Sequence, residues 1–380
     1  MFDKNNLVFF FSLATVGIVL FVILGVYAYS ANEGENSFSI SAKSATLYEP
    51  ETECFLYEKN ADTKMPMAST TKILTGLIAV ERCNPEDLVE IDSQAIGIEG
   101  SSAYLKAGEL LTVEQLLYAM LLQSANDAAT ALAIHISGSV DDFALLMTER
   151  AKEIGATNSN FTNPHGLDDQ EHYTTARDLA LIATEAMKND CFVKIVSTRK
   201  KTFVTEYGTR TYVNHNKLLR LYDDCIGIKT GFTKRSGRCL VSCALRDGLI
   251  FVAVTLDAPD DWNDHRTLLD YGYSKLEKIT FAKSGDYIYK VPVINGVSQS
   301  VIASNTSGKD IILPKGDYRV DEHIKLTKFV SAPVKEGALL GEVIYSLDNN
   351  EVARIQLVAT ETIEKQKEKN LLDRILSIFK

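Results

Sequence analysis

Residues 69–83 have the sequence STTKILTGLIAVERC, in which Ser69 stands three positions before Lys72. Beyond the lysine, apolar residues cover most of a helix surface, and Asn84-Pro85 ends the run. A helix this apolar packs inside a domain and not on its face. The stretch therefore predicts a buried helix that starts at Ser69 and carries a lysine into the interior.

Two shorter motifs follow in the order and rough spacing of an acyl-enzyme serine site, Ser124-Ala125-Asn126 and Lys229-Thr230-Gly231. Together S-x-x-K, S-x-N and K-T-G bring a serine nucleophile, two amines, a second hydroxyl and an amide into one cleft. Singly they are weak signals, because S-x-x-K recurs at Ser197–Lys200 and Ser377–Lys380 and S-A-N at Ser30–Asn32, whereas K-T-G occurs once. Helix caps, a surface lysine and a strand end would explain each motif alone, so the prediction rests on the ordered set.

The spacing of Ser69 and Lys72 puts the hydroxyl and the amine on one helix face. A serine hydroxyl is a weak nucleophile until a base removes its proton. A lysine can be that base only if burial and nearby positive charge lower its pKa. The apolar helix would provide the burial and Lys229 the charge, while the free N–H groups at the helix start would favour a developing oxyanion.

The composition limits the classes of function. With 380 residues the chain is long enough for two domains, and its 46% apolar and 24% charged residues are ordinary for a globular protein. A formal net charge of −10 argues against a nucleic acid partner. The six cysteines include no C-x-x-C pair, so we predict no metal site, and no cofactor is predicted either. We interpret most of the cysteines as small buried residues and leave Cys54 and Cys225 open.

Both ends of the chain indicate a membrane environment. An apolar run from Leu7 to Tyr29 has the length of a membrane span, yet Ala-Tyr-Ser-Ala at 28–31 suits signal cleavage. We predict export, with the segment either removed or retained; a buried core helix is the weaker alternative. Residues 364–380 predict an amphipathic helix, either interfacial at the membrane or docked on the protein itself.

Between these ends the periodicity predicts an α+β domain followed by a small all-β domain. One hairpin joins Ala45–Tyr48 to Cys54–Tyr57, and another pairs Cys239–Leu245 with Leu249–Asp257. Strands on both sides of a helical region indicate a largely antiparallel sheet. The helices are predicted at about 113–122 (after a capping box at Thr112), 126–137, 141–154, 175–189 and 264–276, and further strands at 202–207 and 211–214. Beyond about 280, short alternating segments between turns predict a β-sandwich or barrel.

These patterns divide the chain into five predicted segments. They are an N-terminal signal peptide or membrane segment at 1–30, a linker at 31–43, a catalytic domain at 44–277, a β-rich domain at 280–362, and a membrane-associating helix at 364–380.

Longer segments surround the three motifs. They are Met65–Ala68 before the serine, Phe161–Leu167 with its N-P-H-G-L sequence, Thr174–Asp178, Lys229–Thr233 and Ser236–Leu240. With them the chain resembles a serine-type D-Ala-D-Ala carboxypeptidase, a low-molecular-mass penicillin-binding protein, strongly over about 40–275 and more loosely beyond. The resemblance implies a β-lactamase/transpeptidase-like catalytic domain, with a helical cluster on an antiparallel sheet. It also implies hydrolysis of the terminal D-Ala-D-Ala bond of peptidoglycan stem peptides, with β-lactam antibiotics as covalent inhibitors. For the exported chain it implies a location at the outer face of the bacterial cytoplasmic membrane or in the cell-wall space.

The resemblance further implies a role for each catalytic residue. Ser69 would attack the carbonyl between the terminal D-alanines and form an acyl-enzyme. Lys72 would accept the proton, and Ser124 would relay it to the leaving amine. Backbone N–H groups of Ser69 and Phe232 would form the oxyanion hole.

Other residues would bind the substrate. Asn126 would hold the substrate amide and Lys72, while Lys229, Thr230 and Gly231 would line the carboxylate side of the cleft. Of these, Lys229 and Thr230 would contact the terminal carboxylate. His165 would shape its loop and take no catalytic part.

Three other functions share part of this pattern. A class A-like β-lactamase has the same motifs but needs a glutamate after S-x-N to activate the deacylating water. Thr157–Leu167 contains neither Glu nor Asp, so we expect β-lactams to remain bound as a slow acyl-enzyme. A cross-linking transpeptidase fits a chain with one small accessory domain less well, and a non-catalytic penicillin-binding wall protein is the alternative from another class.

Overall fold

The computed structural model describes residues 38–367. The segment predicted at 1–30, most of the predicted linker and residues 368–380 of the predicted terminal helix lie outside the described residues. Within the described range the chain divides after Lys275 into two compact units, each with its own hydrophobic core.

The first unit, up to Lys275, combines a five-stranded sheet with a cluster of helices. Its strands are β1 (Ser44–Glu49), β2 (Cys54–Lys59), β3 (Leu88–Glu90), β4 (Leu110–Thr112), β5 (Lys200–Thr205), β6 (Gly208–Val213), β7 (Cys225–Thr233), β8 (Gly237–Arg246) and β9 (Leu249–Leu256). Its helices are α1 (Lys72–Arg82), α2 (Val113–Leu122), α3 (Asn126–Ser137), α4 (Val140–Ile154), α5 (Ala176–Met187), α6 (Asp190–Val196), α7 (Leu218–Leu221) and α8 (Asp261–Lys275).

The main sheet has the order β2-β1-β9-β8-β7, and every neighbouring pair is antiparallel. Strand β9 is buried at seven of its eight positions, and both α5 and α8 pack against it. A strand covered in this way needs a nearly continuous apolar sequence, which LIFVAVTL provides. The order leaves β7, which carries Lys229-Thr230-Gly231, as an edge strand facing the helical cluster.

Helix α1 is the buried helix that the sequence predicts, but it begins later than expected. Its first eight residues, Lys72–Ala79, are buried, and it packs against α2, α3 and α5. Ser69 lies before it in a 3-10 turn, Ala68–Thr71. The hydroxyl of Thr70 donates to the Met67 carbonyl at 2.6 Å and that of Thr71 to the Ala68 carbonyl at 2.8 Å. These local bonds favour the tighter turn over an α-helical start.

Most of the other predicted elements of this unit are present. Helix α2 begins with the predicted capping box, in which Thr112 and Gln115 bond each other's backbone N–H groups. The structure adds helix α6, which the sequence analysis did not identify because seven residues give too short a periodic pattern. It also turns the β5–β6 hairpin at Glu206-Tyr207, so that Gly208 opens β6 instead of forming the centre of the turn.

The second unit, from Leu276, is all-β in its described part. Its strands are β10 (Leu276–Ala282), β11 (Ile288–Ile294), β12 (Ser300–Ser304), β13 (Lys309–Pro314), β14 (Val320–Leu326), β15 (Val330–Ser331), β16 (Leu339–Leu347) and β17 (Asn350–Ala359). Six of them form a sheet of order β14-β16-β17-β12-β11-β15, and β10 pairs with β13. The predicted fold class, an α+β domain followed by a small all-β domain, is confirmed.

The last described residues do not form a helix. Lys365 makes an isolated bridge to Gly296, and the Gln366 N–H bonds the Asn295 carbonyl, so residues 364–367 are not helical where the terminal helix was predicted to start. Among residues 38–367 no single helix is long and apolar enough to cross a membrane. Helices α3 and α4, which are bent against each other, reach the necessary length and apolar composition only when taken together.

All six cysteines are free thiols. Cys54, Cys225, Cys239 and Cys243 are buried, as expected of small apolar residues in this core. Burial raises the pKa of the Cys54 thiol to about 12 and the pKa values of the Cys225 and Cys239 thiols to about 11.

Candidate active site

Two glycines pack closely against the turn that carries Ser69. Gly166 has φ +89°, and a Cβ there would lie 1.9 Å from the Ala68 carbonyl oxygen, so no larger residue fits. Gly231 of β7 approaches from the other side, where a Cβ would lie 3.0 Å from the Ser69 backbone nitrogen. Ala68 itself has φ +47°, a left-handed conformation that a non-glycine residue rarely adopts. The backbone before the serine is therefore held in an unusual shape by close packing.

Lys72 reaches Ser69 from inside the protein. Its side chain is fully buried, and its Nζ lies 2.9 Å from Ser69 Oγ, 2.7 Å from Asn126 Oδ1 and 2.6 Å from the His165 carbonyl oxygen. The Asn126 amide donates its Nδ2 hydrogen to the Glu99 carbonyl, which fixes the oxygen of that amide toward Lys72.

The environment of Lys72 disfavours its charged form. Burial, and then the positive charge of Lys229, hold the pKa of Lys72 well below its ordinary value, against a smaller opposing effect of Asp127. A neutral amine has two hydrogens and one lone pair. The amide oxygen of Asn126 and the carbonyl of His165 can only accept, so they take the two hydrogens and the lone pair is directed at Ser69 Oγ. This geometry suits removal of the serine proton.

Lys229 and Ser124 form a second lysine–serine pair in the site. Lys229 is 1% exposed, and its Nζ donates to Ser124 Oγ and to the Thr230 carbonyl, each at 3.0 Å. Burial lowers the pKa of Lys229 to about 7. Ser124 has φ +63°, which turns the chain sharply between α2 and α3. Its hydroxyl thus lies between the second lysine and the cleft.

The side chains open onto a cleft of about 480 Å³. Of the residues predicted for the site, Ser69, Ser124, Thr230, Gly231 and Phe232 line it, whereas Lys72, Asn126 and Lys229 lie behind its wall. Six lining residues were not predicted; they are Ser101, His215, Lys217, Arg238, Asp261 and Trp262. Within residues 38–367 no group of three or more His, Cys, Asp or Glu side chains is placed to hold a metal ion.

Arg238 is the most informative of the unpredicted residues. It lies directly opposite Phe232 in the β7–β8 pair. One Nη donates to Asp261 Oδ1 at 2.7 Å, and the guanidinium lies 5.6 Å from the centre of the Trp262 ring. Its Nε is buried without a hydrogen-bond partner among the described residues. The side chain is nevertheless partly exposed where it lines the cleft, and a cation held in one orientation there is suited to bind an anion.

The sequence around Arg238 gave little indication that this residue could bind an anion. The residue falls within Ser236–Leu240, one of the segments that surround the motifs, but its partners Asp261 and Trp262 stand more than twenty positions later. The other described S-x-x-K sequence has no such setting. Ser197 follows α6 and donates to the Lys194 carbonyl, and Lys200 begins β5.

Comparisons with known proteins identify the family to which the chain belongs. Residues 30–260 match the family described as D-alanyl-D-alanine carboxypeptidase, and residues 276–365 match the one described as penicillin-binding protein 5, C-terminal domain. The D-alanyl-D-alanine carboxypeptidase DacF of Bacillus subtilis is 31% identical over 364 residues, covering 92% of this chain and 93% of its own length.

Solved structures give the same result. Penicillin-binding protein 3 of Streptococcus pneumoniae, described as a peptidoglycan synthesis regulatory factor, is similar with a TM-score of 0.68 and 27% identity over 86% of this chain and 100% of that one. Penicillin-binding protein 5 of Haemophilus influenzae is similar with a TM-score of 0.64 and 29% identity, covering 87% and 100%.

The charge of Lys229 can be tested separately from its size. In a Lys229→Gln variant we expect the pKa of Lys72 to rise, because the neighbouring positive charge no longer disfavours the ammonium form. It should stay below the ordinary value, since burial remains. A Lys229→Arg variant keeps a charge and should leave the pKa of Lys72 lower than in the glutamine variant. NMR titration of ¹³C-labelled lysine, with the Lys72 signal identified by a Lys72→Met variant, measures both; equal pKa values in the two variants would contradict the electrostatic coupling.

Proposed function

We propose that Ser69 is the catalytic nucleophile of this protein. The chain belongs to the D-alanyl-D-alanine carboxypeptidase family. It is a serine-type enzyme that removes the terminal D-alanine of peptidoglycan stem peptides, and it is acylated by penicillins. One observation carries the assignment of Ser69. Its hydroxyl lies 2.9 Å from a buried lysine amine whose other two neighbours are obligate acceptors.

Acylation follows from this arrangement. Lys72 takes the Ser69 proton while Oγ bonds to the carbonyl carbon between the two D-alanines. The Ser69 and Phe232 backbone N–H groups would stabilise the oxyanion, as the approach of β7 to the Ser69 turn suggests. The C–N bond then breaks, and the proton passes from Lys72 through the Ser124 hydroxyl to the leaving amine. Water then attacks the remaining ester while Lys72 accepts its proton, and Lys72 passes that proton to Ser69 Oγ as the ester C–O bond breaks. This step releases the shortened peptide and regenerates the Ser69 hydroxyl and the neutral Lys72 amine.

Ser124 is placed for this transfer by Lys229. The Lys229 amine donates to Ser124 Oγ, which leaves the hydroxyl hydrogen of Ser124 free to point into the cleft. With a pKa of about 7, Lys229 holds its charge through part of the neutral range. Because Lys229 is buried behind Ser124 and Thr230, its charge would attract the substrate carboxylate through space, without a direct contact.

Direct contact with the carboxylate falls to the lining residues. We assign Thr230, together with Arg238, to the terminal carboxylate of the substrate. An arginine stays charged at all relevant pH values, and the exposed part of the Arg238 guanidinium can donate to an anion in the cleft. Asp261 and Trp262 keep the guanidinium in one orientation.

β-Lactams should remain on Ser69 as slowly hydrolysed esters. The nearest acidic residue after Thr157–Leu167 is Asp168, whose carboxylate accepts a hydrogen bond from Thr233 at 2.9 Å. The cleft carboxylate Asp261 is ion-paired to Arg238 at 2.7 Å. Neither is placed in this structure as a free base beside Ser69, so activation of water is left to the amine.

The assignment of Ser69 is tested with a peptide ending in D-Ala-D-Ala and a labelled penicillin. The unmodified protein should release D-alanine and retain the label, and Ser69→Ala should do neither. Ser197→Ala, in the S-x-x-K sequence outside the cleft, is the matched control and should behave like the unmodified protein. Label retained by Ser69→Ala would contradict the assignment, and rapid turnover of the penicillin by the unmodified protein would indicate a β-lactamase.

Arg238 is tested by the discrimination between two substrates. Loss of a charge-assisted hydrogen bond of about 1.5–3 kcal/mol should lower kcat/KM of Arg238→Gln for a D-Ala-D-Ala peptide by roughly 10- to 100-fold. The same peptide with a C-terminal amide should lose little. An Arg238→Gln/Asp261→Asn double variant avoids leaving Asp261 buried without a partner. If the carboxylate-to-amide ratio is unchanged in both variants, Arg238 does not bind the carboxylate.

We further propose where this enzyme works and how its chain is divided. Its family acts on the cell wall. The run Leu7–Tyr29 supports export. The apolar residues of the predicted terminal helix, Leu371 to Phe379, support attachment to the outer surface of the cytoplasmic membrane. The catalytic domain is assigned to 44–277, after a linker at 31–43, and the β-rich domain to 280–362.

The membrane proposal is tested by vesicle flotation. A Leu376→Glu variant, on the predicted apolar face, should lose binding to vesicles containing anionic lipid, because burying a carboxylate among acyl chains is unfavourable. Ser377→Glu adds the same charge on the opposite face and should bind almost as the unmodified protein does. Both are compared in a chain lacking residues 1–30, so that the first segment cannot anchor it. Equal binding by the two variants would show that this face does not insert.

A further inference from the structure

His172 lies away from the cleft, yet it is connected to the turn that carries Ser69. The side chain is 3% exposed and stands edge-on to the Phe161 ring, with 5.7 Å between ring centres. Its Nε2 lies 2.8 Å from Thr71 Oγ1, and the Thr71 hydroxyl donates to the Ala68 carbonyl at 2.8 Å. The proposed mechanism gives this buried imidazole no part.

The hydrogen bonds fix the direction of this connection. The Thr162 backbone N–H donates to His172 Nδ1 at 3.0 Å, so Nδ1 carries no hydrogen in the neutral ring. The hydrogen must then be on Nε2, which donates to Thr71 Oγ1. Since the Thr71 hydroxyl accepts from Nε2, its own hydrogen is directed to the Ala68 carbonyl. The three donors, Thr162 N–H, His172 Nε2–H and the Thr71 hydroxyl, therefore all point along one path that ends at the Ala68 carbonyl.

The surroundings keep the ring neutral. Burial, opposed by Asp169 and reinforced by Lys72, lowers the pKa of His172 to about 4. His165 is close enough to interact with His172 electrostatically, and burial together with the charge of Lys72 lowers the pKa of His165 to about 3. A neutral imidazole with one fixed hydrogen is thus present over the range in which the enzyme would act.

The end of this sequence of bonds is the strained residue Ala68. Its φ of +47° costs about 1 kcal/mol or more for a non-glycine residue, and Gly166 touches the same carbonyl from the other side. We propose that His172 is a positioning residue, whose Nε2–H directs the Thr71 hydroxyl onto the Ala68 carbonyl and so holds the Ser69 turn in its reactive shape. The inference rests on the proposed role of Ser69.

Two amide variants separate the two nitrogens of the ring. His172→Gln can place an N–H near the position of Nε2 and keep the donor to Thr71. His172→Asn can only reach the position of Nδ1, so it keeps the acceptor for Thr162 and loses that donor. We expect the rate constant of acylation by labelled penicillin to fall about tenfold in the asparagine variant, the effect of one hydrogen bond, and to stay within about threefold in the glutamine variant.

Thr71 supplies an independent pair. Thr71→Val removes the hydroxyl at nearly constant volume and should slow acylation about tenfold, whereas Thr71→Ser should not. The His172→Asn/Thr71→Val double variant should be no slower than the worse single variant, because both changes break the same connection. Melting temperatures identify any variant that is not folded, and the threonine pair then decides alone.

The outcomes are distinct. If the unmodified protein is not acylated, the proposed function fails and His172 is not at issue. If the unmodified protein is acylated, three results would overturn the positioning role. They are acylation of His172→Gln as slow as that of His172→Asn, acylation of Thr71→Val as fast as that of Thr71→Ser, and additive losses in the double variant. Rescue by glutamine and serine with non-additive losses supports it, since a general packing defect would not follow the position of a single N–H group.

Discussion

The burial of Lys72 is the constraint from which the site follows. A fully buried amine must lose its proton or be paired, because a lone charge in the interior is very unfavourable. Among residues 38–367 neither Lys72 nor Lys229 forms an ion pair with a carboxylate, and each instead contacts hydroxyl and carbonyl oxygens. The apolar helix α1, the orientation of Asn126 and the loop that presents the His165 carbonyl all meet this requirement. The fold thus produces a base by excluding water and acid from around an amine.

The same constraint explains the strained backbone on both sides of the base. Ala68 and Ser124 are both left-handed non-glycine residues, and they stand next to the two lysines. Such conformations persist only where the surrounding structure determines them. At Ala68 the support comes from Gly166, Gly231 and the threonine hydroxyls of the first turn. After Ser124 the next two backbone N–H groups bond the Ala119 and Ser101 carbonyls. Part of the stability of the core is therefore used to hold two hydroxyls at fixed positions.

Local rules in the sequence predicted much of this, and non-local contacts account for what they missed. The capping box at Thr112 depends on residues three apart, so its helix was placed correctly. The three motifs are far apart in the chain, so no local rule joins them; their meeting was predicted from the ordered set as a whole and from its resemblance to a known family. By contrast, the His165 carbonyl is a backbone group without a side-chain signature. Arg238 acquires its meaning only from Asp261, which pairs with it through the fold.

The buried thiols have a separate consequence for how the folded state can be observed. A thiol reacts as the thiolate, and burial both shields Cys54, Cys225 and Cys239 and raises their pKa values to about 11 or 12. In an unfolded chain the same groups would be exposed, with ordinary acidity. Their alkylation therefore measures how often the first unit opens. These native thiols in β2, β7 and β8 can therefore report local opening without the introduction of a probe.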